Sequence, residues 1–310
     1  MADLVFFGHL TGHGSYSVVS RALADFIERN LKRLPKYERF FAHDLRSGSR
    51  FRKPVEIEKS TALLFGHPTH WCEVPAFKRC IGYHVFEEGV PDQWVGIMNS
   101  LDGLITPSLS SLKIMQAAGV KPTVFLVNHG VNDQIYKPMG LPNKDGKILH
   151  YCSSPSLYRK GTDEVLKVLH RRPDLAAKVM LVLGPEVVDT GSIPCEWVRR
   201  QPLPEREFAD EIRAARAVYA PSLHEGFGLI PLQAACCGTA VLLSDKSGHK
   251  EFSAEIPDSK TCDIEQDLEM LAHDSMWERL VGNQRKRTHV LRAQWSWDAV
   301  LTRDFLLNII

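Results

Sequence analysis

The chain has 310 residues, 44% of them hydrophobic and 24% charged, an ordinary globular composition with enough length for two domains. A formal net charge of +1 gives no global argument for nucleic acid or a membrane surface. Seven cysteines, an odd number with no C-x-x-C pair, exclude a disulfide framework or a zinc site as the natural reading and favour reduced thiols in a cytoplasm.

From the N-terminus, MADLVFFGHL is too short and polar-flanked for a signal peptide and instead opens a strand at Leu4–Gly8. Further strands are predicted at Phe40–Leu45, Ala62–Gly66, Ile81–Phe86, Gly103–Thr106 and Thr123–Val127. Helices are predicted at Ser17–Leu31, Asp92–Ser100 and Ser110–Ala118. The pattern restarts near residue 147, after a Pro- and Gly-rich stretch, Lys137–Lys147, that reads as a linker. Strands then fit Ile148–Cys152, Val179–Leu183, Ala217–Ala220 and Ala240–Leu243, and helices fit Thr162–His170, Glu205–Arg213 and Leu229–Cys237. Met276–Ile310 reads as helical, with Trp295-Ser296-Trp297-Asp298 inside it. Strand–helix alternation predicts an α/β protein of two Rossmann-like, doubly wound domains facing a central cleft, with ligands at the carboxyl ends of the strands. No apolar run is long enough to span a bilayer.

The chemistry-bearing stretch is Tyr219–Glu251. A strand ends at Ala220-Pro221-Ser222, Glu225 follows in the turn, and Gly226-Phe227-Gly228 opens the helix at Leu229. Free backbone N–H groups and a helix N-terminus suit a phosphate, and Glu225 beside them suits sugar hydroxyls. A second charged turn, Tyr158-Arg159-Lys160-Gly161, follows the first strand of the second half. Near the N-terminus, Gly12 and Gly14 let a loop between strand and helix approach a ligand. His67 ends the strand Ala62–Gly66 in GHPTHW, with His70 its rival for a role in chemistry. Glu87 and Glu88 lie in the turn that precedes Pro91 and Trp94. From Lys32 to Lys59, basic residues outnumber acidic ones. Such a patch could meet an anionic acceptor such as nucleic acid, a phospholipid headgroup or a teichoic-type polymer, although a solvated surface is the usual explanation.

The string PSLHEGFGLIPLQAACCGTAVLLSDKSGHKE, with DGLITPS and the closing QWSWDAV, resembles the retaining glycosyltransferases of the "glycosyl transferases group one" family (family 4). The resemblance implies the GT-B fold. It implies an acceptor-binding domain at 1–140, a nucleotide-sugar domain at 147–290 and a last helix, 291–310, that packs back toward the first domain. The co-substrate is then a nucleoside-diphosphate sugar, with no cofactor and no metal. Lys160 matches the family's phosphate-binding lysine, and Glu225 the acidic residue that holds the sugar. Gly226, Phe227, Gly228, Leu229 and Arg159 fall in the donor site, as do Gly12 and Gly14. His67 matches a cleft histidine near the reacting sugar, and Glu87 faces the acceptor. Two positions depart from the pattern: Gln233 stands where a second Glu grips the ribose, and Ser154 where an Arg is usual. These departures keep open a non-catalytic nucleotide-sugar-binding protein, or a GT-B epimerase.

Overall fold

The computed structural model describes residues 2–34, 36–45, 55–74, 76–152, 157–187 and 192–305. They form two compact units, one of residues 1–130 with 297–310 and one of residues 131–296.

In the first unit, strands β1 (Ala2–Gly8), β2 (Tyr37–Asp44), β3 (Thr61–Phe65), β4 (Arg79–Tyr83), β5 (Gly103–Thr106) and β6 (Val124–Leu126) make one parallel sheet of order β2-β1-β3-β4-β5-β6. The crossovers are α1 (Ser15–Asn30), the short α2 (Pro68–Trp71), α3 (Asp92–Asn99) and α4 (Leu109–Ala117). Both faces of β1 and β3 are buried, as parallel sheets require, so these strands read as unbroken apolar runs. Val5, Phe7, Ala62, Leu64, Met98, Leu104 and Met115 form the core on one face. Alternation along β1 leaves Leu4 and Phe6 for the other.

The second unit holds β7 (Ile148–Cys152), β8 (Val179–Leu183), β9 (Glu196–Arg199), β10 (Ala217–Ala220) and β11 (Ala240–Leu243), parallel in the order β11-β10-β7-β8-β9. Its helices are α5 (Thr162–Arg171), α6 (Pro173–Ala176), α7 (Glu205–Ala214), α8 (Leu229–Cys237), α9 (Ile264–Ala272), α10 (Asp274–Arg285) and α11 (Thr288–Trp295). α5 shows why such segments fold as helices. Val165, Leu166, Val168 and Leu169 share a buried face, Asp163 and Glu164 sit in the first turn, and His170 and Arg171 sit in the last, so the charges complement the helix dipole.

The edge strand β11 is closed by a side chain. Gln284 of α10 accepts from Val241 N at 2.9 Å and donates to Val241 O at 2.8 Å, so its amide takes the place of a neighbouring strand. Gln284→Leu leaves both backbone groups buried and unpaired. The expected loss is about 2–5 kcal/mol of stability, read by chemical denaturation.

Three expectations change. The stretch Lys137–Lys147 is part of the second unit rather than a linker. The helical reading of Met276–Ile310 breaks at Ser296, which is extended. Trp297 then starts α12 (Trp297–Val300), followed by a π turn at Leu301–Phe305, and these residues belong to the first unit. The strand β9 and the helix α9 form where the sequence pattern predicts no element. Among the described residues, no helix is long and apolar enough to cross a membrane.

Candidate functional site

The second-unit site is built from two turns that follow neighbouring strands. After β7, residues 157–161 form a turn closed by Gly161 N–H to Tyr158 O (2.9 Å) and Thr162 N–H to Leu157 O (2.9 Å). After β10, the chain turns through Ser222 to Gly228. The two turns are tied together, since Leu223 N–H donates to Arg159 O at 3.0 Å and His224 N–H at 3.3 Å. Gly161 is required at the junction. Its φ is +70°, and a Cβ there would lie 2.8 Å from Pro221 O.

This docking brings Lys160 and Glu225 together. Lys160 Nζ lies 2.5 Å from Glu225 Oε1, and Ser222 Oγ donates to the same oxygen at 2.9 Å. Both charged residues are nearly buried, Lys160 at 9% exposure and Glu225 at 7%. Burial pushes the Glu225 carboxyl upward. The charge and the hydrogen bond of Lys160 outweigh it, and the pKa is held at about 2.

The helix N-terminus stands beside this pair. Gly228, at φ +96°, caps α8, whose first-turn N–H groups have no partner within the helix. The turn rests on the 3₁₀ segment Ser247–Glu251. Gly248 N–H donates to Glu225 O at 2.9 Å, and a Cβ on Gly228 would fall 2.2 Å from Cδ2 of His249. An anion-suited helix end, a lysine and a carboxylate thus converge within one unit.

The remaining residues named from sequence fall as follows. Arg159 is buried in the same turn as Lys160. Gly226 and Leu229 flank the turn, but the ring of Phe227 packs on Phe252 (5.5 Å) and Trp295 (5.8 Å), which leaves its backbone rather than its ring for a ligand. Gln233 is buried one turn into α8. Ser154 lies outside the described residues. Gly12 and Gly14 belong to the first unit, where Arg21 donates to Gly12 O at 2.6 Å and Gly14 caps α1.

His67 and His70 also lie in the first unit, at the carboxyl end of β3. His67 caps α2, its Nδ1 pairs with Thr69 Oγ1 at 2.8 Å, and its ring meets Trp94 edge-on at 4.1 Å. Burial, and then the charge of His70, lower its pKa. His9, His70 and His84 complete a cluster of rings around it, with His9 5.8 Å from His70 and His84 5.9 Å from His67. Burial holds the His84 pKa at about 3, so that ring is neutral. Glu87 is half-buried in the turn after β4.

In the basic stretch, Arg39 pairs with Asp3 at 2.8 Å and Lys59 with Glu56 at 2.5 Å. Arg46, Arg50, Arg52 and Lys53 lie outside the described residues. Two side chains of the second-unit site escaped the sequence reading, Ser222 and His249. Both stand in the quoted stretch, but nothing in their spacing marks them as partners of Glu225.

Two parallel-sheet α/β units, the second bearing a lysine and a carboxylate at a helix N-terminus, define the GT-B fold. Solved structures share it: sucrose-phosphate synthase from Thermosynechococcus elongatus (TM-score 0.64, 15% identity, 98% of this chain and 97% of that one) and HepE of Anabaena, solved with UDP and glucose (TM-score 0.67, 10% identity, 98% of each chain). In sequence the chain resembles family 4 glycosyltransferases. The family described as "Family 4 Glycosyltransferase in conflict systems" matches residues 198–285. Curated relatives include D-inositol 3-phosphate glycosyltransferase of Thermobispora bispora, 28% identical over an alignment of 173 residues that covers 46% of this chain and 39% of that protein. Alpha-maltose-1-phosphate synthase of Mycolicibacterium smegmatis is 31% identical over an alignment of 113 residues that covers 31% of this chain and 28% of that protein. In each case the match spans less than half of the relative's own length.

Proposed function

We propose that the chain is a metal-independent, retaining glycosyltransferase that moves a sugar from a nucleoside-diphosphate sugar to an acceptor taken up by the first unit. The observation that carries this reading is the Lys160–Glu225 pair at the N-terminus of α8. As the glycosidic bond breaks, its electron pair goes to the leaving diphosphate. In this reading Lys160 and the first N–H groups of α8 stabilise that charge, and Glu225 holds the sugar hydroxyls. The acceptor oxygen attacks on the same face, and its proton passes to the leaving phosphate, so no protein nucleophile is needed. Gln233 then contacts the ribose through an amide, which can both accept and donate but lacks a carboxylate's charge. His67 acts near the reacting sugar, with His70 as its rival, and Glu87 faces the acceptor. The local pairing of Arg39 and Lys59 gives no support to an anionic acceptor such as nucleic acid.

The test is a thermal-shift panel of nucleoside diphosphates and their sugars, followed by NMR of the first sugar product. Binding of a diphosphate sugar with slow donor hydrolysis that releases the sugar with its original anomeric configuration is the expected result. Inverted product overturns retention. Binding without any turnover indicates a nucleotide-sugar-binding protein, the outcome that the Ser154 and Gln233 departures would explain. Loss of donor without free sugar or acceptor indicates an epimerase.

A further inference from the structure

His249 is fully buried beneath the turn that caps α8. Its Nδ1 lies 3.2 Å from Ser244 O and 3.1 Å from Ser244 Oγ. A carbonyl oxygen can only accept, and the Ser244 hydroxyl already donates to Ser222 O, so Nδ1 carries the proton. In the neutral ring, Nε2 is therefore a lone pair. It has no hydrogen-bond partner, and it faces Glu225 Oε1 at 3.9 Å. A buried lone pair directed at a carboxylate is an unfavourable arrangement that one proton converts into an attraction.

Lys160 decides which state holds. Its ammonium now neutralises Glu225. A diphosphate at the N-terminus of α8 competes for that ammonium, and a buried carboxylate that loses its cation is costly. We propose that His249 is a positioning residue that exchanges roles with Lys160: when a diphosphate engages Lys160, His249 takes a proton from solvent on Nε2 and becomes the cationic partner of Glu225, holding the carboxylate in place for the sugar. This inference rests on the donor-site reading above.

The surroundings agree with the exchange. The charged groups that face the imidazole are Glu225 from the turn after β10 and Lys160 from the turn after β7, while Arg159 acts on Glu225 from the same turn as Lys160. From the remaining sides come Gly228 and Phe252, which carry no charge, and the backbone of Ser244. Burial lowers the His249 pKa most, Glu225 raises it, and Lys160 lowers it. Drawing Lys160 toward a phosphate removes one lowering influence and leaves the raising one.

The experiment is isothermal titration of the whole chain with uridine and guanosine diphosphates near neutral pH, repeated in buffers of different ionisation enthalpy to count protons. Wild type should take up protons on binding, and His249→Asn, which keeps an amide donor toward Ser244, should take up fewer. Histidine NMR of the wild type gives a second readout: a neutral Nδ1–H ring in the free protein and an imidazolium once nucleotide is bound. Equal uptake in both proteins, no uptake in wild type, or a His249 ring that stays neutral with nucleotide bound overturns the exchange while leaving the donor site standing. If neither of these binds, the titration is run with the nucleoside diphosphate that the thermal-shift panel selects, and if no member of that panel binds, the donor reading fails and the exchange fails with it.

Discussion

Lys160→Ala is expected to lower sugar transfer by about two to three orders of magnitude, the usual cost of removing a donor aimed at developing charge, and to destabilise the protein by up to about 3–5 kcal/mol, because it removes the ammonium that neutralises the buried Glu225 carboxylate in the free protein. The two effects have separate origins and can be separated. Lys160→Met combined with Glu225→Leu removes both charges and keeps apolar bulk, so stability should return most of the way. Transfer should not return, since the ammonium for the diphosphate and the carboxylate for the sugar are both gone. Denaturant midpoints for the two singles and the double close a double-mutant cycle on the pair, and kcat/KM on the same proteins reports the chemistry. A Lys160→Ala protein that turns over normally sinks the phosphate role. One that is as stable as wild type shows that the ion pair is not what holds the two turns together.

What could be read in advance depended on whether a residue's role is local. Ile148–Cys152, Val179–Leu183, Ala217–Ala220 and Ala240–Leu243 are short apolar runs bounded by turn residues, and each forms the strand expected. α8 likewise spans Leu229–Cys237 between two glycines in the left-handed region. By contrast, β9 is Glu-Trp-Val-Arg on the rim of its sheet, mostly exposed, and becomes a strand only because β8 offers it a ladder. The break at Ser296 is equally non-local. Helical residues lie on both sides, but Val131 N–H takes Trp295 O at 2.7 Å and the backbone runs extended there. In the candidate site, the meeting of Lys160 and Glu225 could be expected because each follows a strand in a recognisable turn. Phe227 was legible as a position but not as a direction, and its ring turns into the core. His249 was invisible because its meaning lies in one unpaired ring nitrogen, and that depends on Ser244 and Glu225 being folded against it.

Glu225→Ala should separate nucleotide from sugar. The carboxylate is assigned to the sugar, so nucleoside diphosphate should bind the variant about as well as wild type, or better, since Lys160 is no longer drawn to a protein carboxylate. Transfer should fall by about two to four orders of magnitude, the equivalent of losing two hydrogen bonds from sugar hydroxyls to a charged acceptor at about 1.5–3 kcal/mol each. Titration calorimetry with the nucleotide and initial rates with the full donor measure the two quantities, and equal loss of both would mean that Glu225 serves the nucleotide instead. The conservative Glu225→Gln adds a test by acid. Glu225 has its carboxyl held at about 2 in the folded protein against an ordinary value of 4.5. The stability it contributes is therefore present above the ordinary value and lost as the pH falls from there through about 2. Glu225→Gln has no such group to titrate, so its acid-unfolding curve should be flatter across that interval than that of wild type. Parallel curves would show that the carboxylate is not held by Lys160 in solution, and a diphosphate would then have no ion pair to break when it engages Lys160.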